Sequence, residues 1–399
     1  MCYVQEWLTS ERSPSRAEAI QFIVCLGLVS LFADITYEGA RGVTGPFLRN
    51  LGASAASVGF VVGLGEFAGY ALRLLSGRLA DRTGAYWTLT IIGYVVNLIS
   101  VPLLAYAGNW PLAALLMIAE RTGKSLRGPA RDVLLSDAAQ RIGRGWGFGL
   151  HAAMDQAGAV IGPLFMAWAA SRTRTYRPAF LFLAIPAASA LAALLMARTY
   201  DVTRESACPA RASAKDRAPL PRVFWTYTTA AGLLALGYVD FPIAAYHFVK
   251  AGLFTRVQIP LVYALAMAVN GITAMLFGRL YDRIGLPVLS TGIAISLAGL
   301  PLIFLDGPRV AASGVICWGA GMGAMDASLR AGVSQIVPLE SRGWAFGLFN
   351  AVFGVMWLAG SSAMGLLYDR SVAALVIFGV LAQAAAATLF FSLRRHFRE

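Results

Sequence analysis

The octapeptide GRLADRTG at residues 77–84 returns as GRLYDRIG at residues 278–285, 201 positions later (278 − 77). The heptapeptide RGWGFGL at 144–150 returns as RGWAFGL at 342–348, 198 positions later (342 − 144). Two separate matches at nearly one offset mean that one unit occurs twice in the chain. Each octapeptide begins and ends on glycine between apolar runs. It reads as a short polar turn joining two long helices, with Gly77 and Gly84 permitting close backbone approach and a tight turn.

Outward from these turns the chain is apolar almost throughout. It is 58% hydrophobic and only 14% charged, with a mean hydropathy of +0.64. A soluble domain is about a quarter charged. Apolar segments long enough to cross about 30 Å of hydrocarbon recur at roughly 19–47, 55–80, 86–107, 111–138, 145–170, 178–200, 222–249, 257–280, 286–305, 309–336, 343–368 and 372–393. They are too long, and lack the two-residue alternation, to be barrel strands. The expectation is an all-α membrane protein with twelve transmembrane helices. It divides into an N-terminal half (1–200), a polar linker DVTRESACPARASAKDRAPLP (201–221) and a C-terminal half (222–399).

The formal charge of +12 follows topology. With both termini inside, the cytoplasmic segments hold about 18 Lys and Arg and the outer loops about 8, in line with the positive-inside rule. Residues 1–18 lack the basic-then-apolar order of a signal peptide; Trp7 and Leu8 sit in a tail read as disordered. The basic linker is discounted as a nucleic-acid surface. Cys2, Cys25, Cys208 and Cys317 show neither disulfide nor metal spacing. No cofactor, metal or nucleic-acid partner is expected; a small-molecule substrate, protons and the lipid bilayer are, with the chain acting as a monomer in the inner membrane.

At the octapeptides the chain resembles the major facilitator superfamily, over essentially its full length. Gly77, Leu79, Asp81, Arg82 and Gly84 match that family's loop 2–3 signature G-x-L-a-D-r-x-G, and Gly278, Asp282, Arg283 and Gly285 repeat it. The resemblance implies two pseudo-symmetric six-helix bundles and a secondary carrier rather than an enzyme. Physically, Asp81 would dock on the positive N-terminal end of the eleventh span near Arg342, and Asp282 on that of the fifth near Arg144. Such contacts would latch the cytoplasmic gate.

The fourth span carries the stretch ERTGKSLRGPARD (120–132). On a helical wheel Glu120, Lys124, Arg127 and Arg131 fall at about 0°, 40°, 340° and 20°, one narrow stripe, with Arg121 and Asp132 beside it. Charge facing lipid costs at least about 2.5–3.5 kcal/mol near the bilayer centre, so the stripe must face protein or a water-filled cavity. Gly128-Pro129 is expected to kink the helix and free a carbonyl. Partners are at hand. Asp34, Tyr37, Glu38 and Arg41 stand on the first span, Glu66, Tyr70 and Arg73 on the second, His151, Asp155 and Gln156 on the fifth. Arg41 and Glu38 can alternatively snorkel to the outer interface, Arg131 can pair with the loop 2–3 turn, and Arg73 reads as structural.

The second half keeps only Asp240, His247, Asn270, Asp326 and Arg330 as polar positions. The repeat sets Met267, Gly271 and Ala274 opposite Glu66, Tyr70 and Arg73, and Phe349 and Phe353 opposite His151 and Asp155. Tyr238, Phe241, Tyr246, Trp318, Phe349, Phe353 and Trp357 are expected to form an apolar wall. Ion chemistry is thus expected in the first half and shape in the second.

Gly149, Gly158, Gly162 and Pro163 on the fifth span resemble the antiporter signature of the drug:proton antiport branch. Met166 and Ala167 stand where its closing glycines would be, and Ser125 replaces a glycine of its fourth-span pattern. The sequence therefore favours a proton-coupled secondary transporter, working by alternating access and exporting a small organic compound. The basic excess on the fourth span points to an anionic substrate or substrate part. A proton symporter importing a small organic anion is the runner-up, and a membrane sensor on a transporter fold ranks low. The expected proton carrier is Asp155, then Glu66, desolvated among Gly63, Leu64, Gly65 and Phe67, and then Asp34. Glu120, next to cations, is expected to be a structural partner.

Overall fold

A computed structural model describes residues 15–140, 142–201, 220–338 and 341–394. Most of the linker, Cys2, Cys208, the tail with Trp7 and Leu8, and the side chain of Arg144 lie outside the described residues.

The described residues form α1 (Arg16–Arg41), α2 (Thr44–Asn50), α3 (Ala55–Thr83), α4 (Tyr86–Leu103) with a 3-10 turn at Leu104–Tyr106, α5 (Trp110–Ala139), α6 (Arg144–Arg172), α7 (Tyr176–Phe182), α8 (Ala184–Thr199), α9 (Arg222–Gly237), α10 (Phe241–Lys250), α11 (Gln258–Ile284), α12 (Pro287–Ile303), α13 (Pro308–Ile336), α14 (Arg342–Arg370) and α15 (Val372–Leu393). Every apolar segment of the sequence holds helix. Eight helical stretches are long and apolar enough to cross a membrane. Of the others, α5, α6 and α13 have 29 or 30 residues, and α12 is an apolar helix of 17. The protein is an all-α integral membrane protein.

Local chemistry sets the helix ends. Ser15 and Glu18 form a reciprocal capping box at the start of α1. Asn109 caps α5 by accepting from Leu112 N at 2.9 Å. The repeated octapeptides end two helices alike. Gly84 (φ +65°) donates to Ala80 O, and Gly285 (φ +68°) donates to Tyr281 O, in the left-handed region where glycine is the default C-terminal stop. Gly77 and Gly278 do not make the close approach expected of them. A Cβ on Gly77 would lie 3.6 Å from Pro129, and one on Gly278 3.9 Å from Ala327, both ordinary contacts.

Three segments read as continuous are broken, at Gly42-Val43, at Leu183 and at Tyr238–Asp240. The last break has a direct cause. Pro242 has no N–H to give Tyr238 and its ring clashes with that carbonyl, so the chain leaves the helix and restarts at Phe241. Pro129, by contrast, stays inside a continuous α5; the carbonyl it frees, that of Ser125, accepts from Ser76 Oγ on α3 at 2.9 Å.

The packing repeats with the sequence. In the first set of helices α1 lies on α6 and α8, and α5 on α3 and α4; in the second α9 lies on α14 and α15, and α13 on α11 and α12. The sets meet through α3 on α14 and α6 on α11. Glycines make these contacts close. Gly158 lies against Leu31 O and the Asp34 side chain, and Gly162 against Ile35 O and Gly39 N. Both are therefore explained by α1–α6 packing, whereas nothing lies near Gly149.

The two ends of the bundle differ. At the end remote from the octapeptides α2 packs on α10, with Gly45 tight against the Pro242 backbone. There Ala55 N and Ala56 N donate to the Asp369 carboxylate at 3.2 and 2.9 Å, and Tyr176 Oη donates to Arg256 O at 3.0 Å. At the octapeptide end Asp81, Arg82, Asp282 and Arg283 are exposed, and the two aspartates have no hydrogen bond or ion pair among the described residues. The expected docking of Asp81 on the start of α14, and of Asp282 on that of α6, shows no hydrogen bond or ion pair among the described residues, which do not include the side chain of Arg144; α3 and α14 touch at Leu74 and Gly347.

Candidate functional site

The charged stripe of α5 faces inward, as its cost in lipid requires, and three other helices meet it. Glu66 on α3 is the hub. Its Oε1 accepts from Arg41 on α1 at 2.7 Å and lies 3.4 Å from Arg121 on α5. Arg121 also reaches Glu120 at 3.4 Å, and Arg41 reaches Glu38 at 3.7 Å. Glu120 is fixed further by Asn97 Nδ2 on α4 at 2.8 Å. Glu38 accepts from Tyr263 Oη on α11 at 2.6 Å, a hydrogen bond between the two sets of helices. Burial of this many charges is tolerable only because each has an opposite partner and directed hydrogen bonds.

Two expectations fall here. Glu66 is not an isolated, desolvated carboxyl among apolar neighbours but is held by two guanidinium groups, those of Arg41 and Arg121. Arg41 and Glu38 do not reach for the interface; Glu38 is buried and Arg41 half-buried, because Glu66 and Tyr263 offer them partners inside. Glu120 is a structural partner as expected, through Arg121 and Asn97 rather than Lys124.

Lys124 and Arg127 are bound differently. Lys124 Nζ lies 3.9 Å from Glu38 and 3.9 Å above the Tyr37 ring. Arg127 is only 2% exposed, stacks 4.1 Å over Tyr94 on α4 and has no ion pair among the described residues. These cation–π contacts hold the groups without neutralising them. Across from them Asp34, buried on α1, has no hydrogen bond or ion pair among the described residues and lies within electrostatic reach of Asp155, Lys124, Glu38 and Arg127.

A polar chain leads from there toward the octapeptide end. Asp155 Oδ1 lies 3.7 Å from His151 Nε2, which is 3.1 Å from Ser30 Oγ, which accepts from Arg131 Nη1 at 3.1 Å. Arg131 also binds Asp132 at 2.7 Å, so it pairs with its own neighbour and α1 rather than with the loop 2–3 turn. Gln156 crosses to the second set, donating to Met267 O at 2.7 Å and packing on Gly271.

Among the described residues the second set has one buried carboxylate, Asp240, at the break between α9 and α10. It accepts from Trp357 Nε1 at 3.1 Å and from Ser361 Oγ. The aromatic residues join ring to ring: Tyr238 is tilted against Trp318 and Trp357, and Phe353 is stacked on Phe349 and tilted against Trp357. They are all buried, so the wall is packed core; Tyr246 stands apart and pairs with Tyr368. Asn270 donates to Asp326 at 3.1 Å, while Asp326 and Arg330 face open space.

A cavity of about 530 Å³ adjoins the ion network. Tyr37, Arg41, Glu120 and Arg121 form its polar side, and Val61, Val62, Leu116 and Met117 part of its apolar side. Only Pro242 comes from the second set, so this cavity lies within the first set rather than between the two.

Asn97, Tyr94, Ser30 and Tyr263 were not foreseen. Thr90, Tyr94 and Asn97 recur at i, i+4 and i+7 in an otherwise apolar span, a polar stripe legible in the sequence. Tyr263 and Ser30 carry no such signal.

A membrane-embedded pair of repeated helix sets packed around buried ion pairs is the build of a solute carrier. The Major Facilitator Superfamily model matches residues 26–361, and the chain belongs to that family. It is 40% identical over 382 residues to an uncharacterised protein of Mycobacterium tuberculosis (strain ATCC 25618 / H37Rv), covering 94% of this chain and 93% of that one. It is 33% identical over 146 residues to the multidrug resistance protein MdtH of Photorhabdus laumondii, covering 37% of this chain and 34% of that one. Among solved structures it is similar to a bacterial homologue of the human lysosomal transporter Spinster in an inward-facing, unoccupied conformation. The TM-score is 0.72 at 15% identity, over 96% of this chain and 98% of the other.

Proposed function

We propose that this transporter is a proton-coupled exporter of a small organic compound bearing an anionic group. One observation carries the reading. On α5, Arg121 is held by carboxylates at 3.4 Å, whereas Lys124 has one distant carboxylate, Glu38 at 3.9 Å, and Arg127 has no ion pair among the described residues. A half-buried and a buried cation held over tyrosine rings retain the capacity to bind an anion, and binding it would complete the pairing that burial requires.

The octapeptide turns are taken as cytoplasmic, with both termini on that side of the cell membrane. The path between the two sets would then open inward, with α2 on α10 closing its outer end. On return, Asp81 and Asp282 would dock on the N-terminal ends of α14 and α6 and hold the inner end shut. Two six-helix units, 1–200 and 222–399, would rock about the central ion network, with the 201–221 linker as a tether.

Asp34 and Asp155 lie within electrostatic reach of each other beside the α1–α6 contact, and one of these two carboxyl groups is taken as the proton's carrier. Protonation and anion binding would then compete for the charge of Lys124, so that each turn carries one or the other. The name of the relative matched over 146 residues, a multidrug resistance protein, favours export.

The test is flux in proteoliposomes under an imposed pH gradient, across a panel of organic anions and neutral analogues. Substrate movement against the proton flow is expected. Movement with the protons makes the protein a symporter; indifference to the gradient ends the proton reading.

A further inference from the structure

We infer that the cavity beside the ion network is a subsite for the uncharged, apolar body of the transported compound, whose anionic group then rests on Lys124 and Arg127. The inference rests on the proposed transport of an anionic compound and deepens it by naming an amphipathic substrate, an apolar ring system or chain that ends in one anionic group.

At about 530 Å³ the cavity falls within the range of small-molecule sites, about 300–1,000 Å³. Most of its wall is aliphatic. Val61 and Val62 come from α3, Val101 from α4, Leu104 from the turn after it, and Leu116 and Met117 from α5. Such a wall attracts a ligand by releasing water and without direction, so it selects a hydrophobic body.

The charged side of the cavity is already paired. Arg41 donates to Glu66 at 2.7 Å, Glu120 accepts from Asn97 at 2.8 Å, and Arg121 lies 3.4 Å from both Glu66 and Glu120. The hydroxyl protons are used as well, Thr44 donating to Ala40 O at 3.2 Å and Ser100 to Val96 O at 2.6 Å. A further charge placed there would be desolvated without a partner to offset the cost, so the cavity suits the uncharged part of a ligand.

Tyr37 joins the cavity to the cations that lack close carboxylates. It lines the cavity, and its ring carries Lys124 Nζ at 3.9 Å and the Arg127 guanidinium at 6.0 Å. An anionic group bound to those cations therefore stands one aromatic ring away from the apolar wall.

Side chains, not the fold, provide the room. The residue 201 positions after Val62 is Tyr263, 1% exposed and packed on Phe241 at 4.5 Å between ring centres. The first set thus carries a valine at a place where the second carries a buried ring.

The test is calorimetric titration of the full-length purified protein in nanodiscs with acetate, 2-naphthoate and the neutral 2-naphthamide. The parent should bind 2-naphthoate about tenfold or more tighter than either of the others, since it alone fills both parts of the site. Val62→Tyr, which copies the repeat, and Met117→Trp should each weaken 2-naphthoate about tenfold and leave acetate unchanged. Leu115→Trp, on the exposed side of α5, should change neither. Met117→Ala, which widens the cavity, should bind 2-anthracenecarboxylate several-fold tighter than the parent, a gain that no folding defect produces. Parental affinity for 2-naphthoate in both filled variants, with no gain in Met117→Ala, overturns the subsite and leaves the anionic substrate standing. A parent that binds 2-naphthamide as tightly as 2-naphthoate, and loses both when the cavity is filled, keeps the subsite and overturns the anionic group. A parent that binds none of the three overturns both.

Discussion

On α3 Glu66 is held by Arg41 and Arg121; at the matching place on α11 stands Met267, whose only polar contribution is a backbone carbonyl accepting from Gln156. On α6 His151 and Asp155 continue a polar chain; on α14 the same places are Phe349 and Phe353, stacked in a buried aromatic core. One helix arrangement thus carries two chemistries. Ion pairs have directions and lengths, and they fix how α1, α3 and α5 sit on one another. Aromatic edges and glycine faces tolerate small rotations at little cost. The first set thus holds its helices through ion pairs and the second through aromatic packing, and the two are joined near the centre by Tyr263 on Glu38 and Asp240 near Arg41.

The contrast breaks most visibly at its hub. Glu66→Ala leaves Arg41 and Arg121 buried without their shared carboxylate, and a loss of about 3–5 kcal/mol is expected, seen as early unfolding on heating. Met267→Leu at the matching place should change stability by less than about 1.5 kcal/mol. Equal melting of the two variants would remove the distinction between the halves.

Next in size are the carboxylates on the α1–α6 face. Asp34→Asn and Asp155→Asn should each abolish accumulation driven by a pH gradient while leaving substrate exchange at equal pH partly intact. Full gradient-driven uptake in both variants would put the proton site elsewhere.

Tyr263→Phe removes the donor that ties the second set to Glu38. A hydrogen bond to a charged group contributes about 1.5–3 kcal/mol. Hydrogen exchange at α2 and α10, which close the remote end, should quicken. Unchanged exchange means that the ion network does not hold that end shut.

Asp81→Asn tests a contact the present conformation does not make. It should slow transport several-fold, on the scale of about 0.3–1 kcal/mol for a carboxylate at a helix N-terminus. It should leave thermal stability unchanged, because Asp81 is exposed without a partner here. Wild-type flux would end the latch reading.

The smallest effect is expected at the linker. Residues 1–200 and 222–399 expressed as separate chains should together recover most of the flux, since the contacts between the sets run through α3–α14 and α6–α11. Insertion without any flux would show that the halves do not fold as units.

The sequence alone determined what depends on neighbours along the chain. Repeats at offsets of 201 and 198 gave the duplicated plan, and apolar length gave the twelve segments in which the helices lie, though not the breaks within three of them. Spacings of four, seven and eleven put Glu120, Lys124, Arg127 and Arg131 on one face because a helix turns by a constant angle. The carbonyl freed by Pro129, and the break at Pro242, follow from a missing N–H four residues on. The tertiary structure decided what depends on how one helix slides and turns against another. That Glu66 meets two arginines rather than none, that Glu38 finds Tyr263 from 225 residues away, and that Asn97 closes on Glu120 are matters of interhelical register. No period along a single helix encodes that register. Which end stands open is further removed, since Asp81 and Asp282 have one sequence in every conformation. Packing across the bundle, not local propensity, selects the end at which the two sets of helices touch.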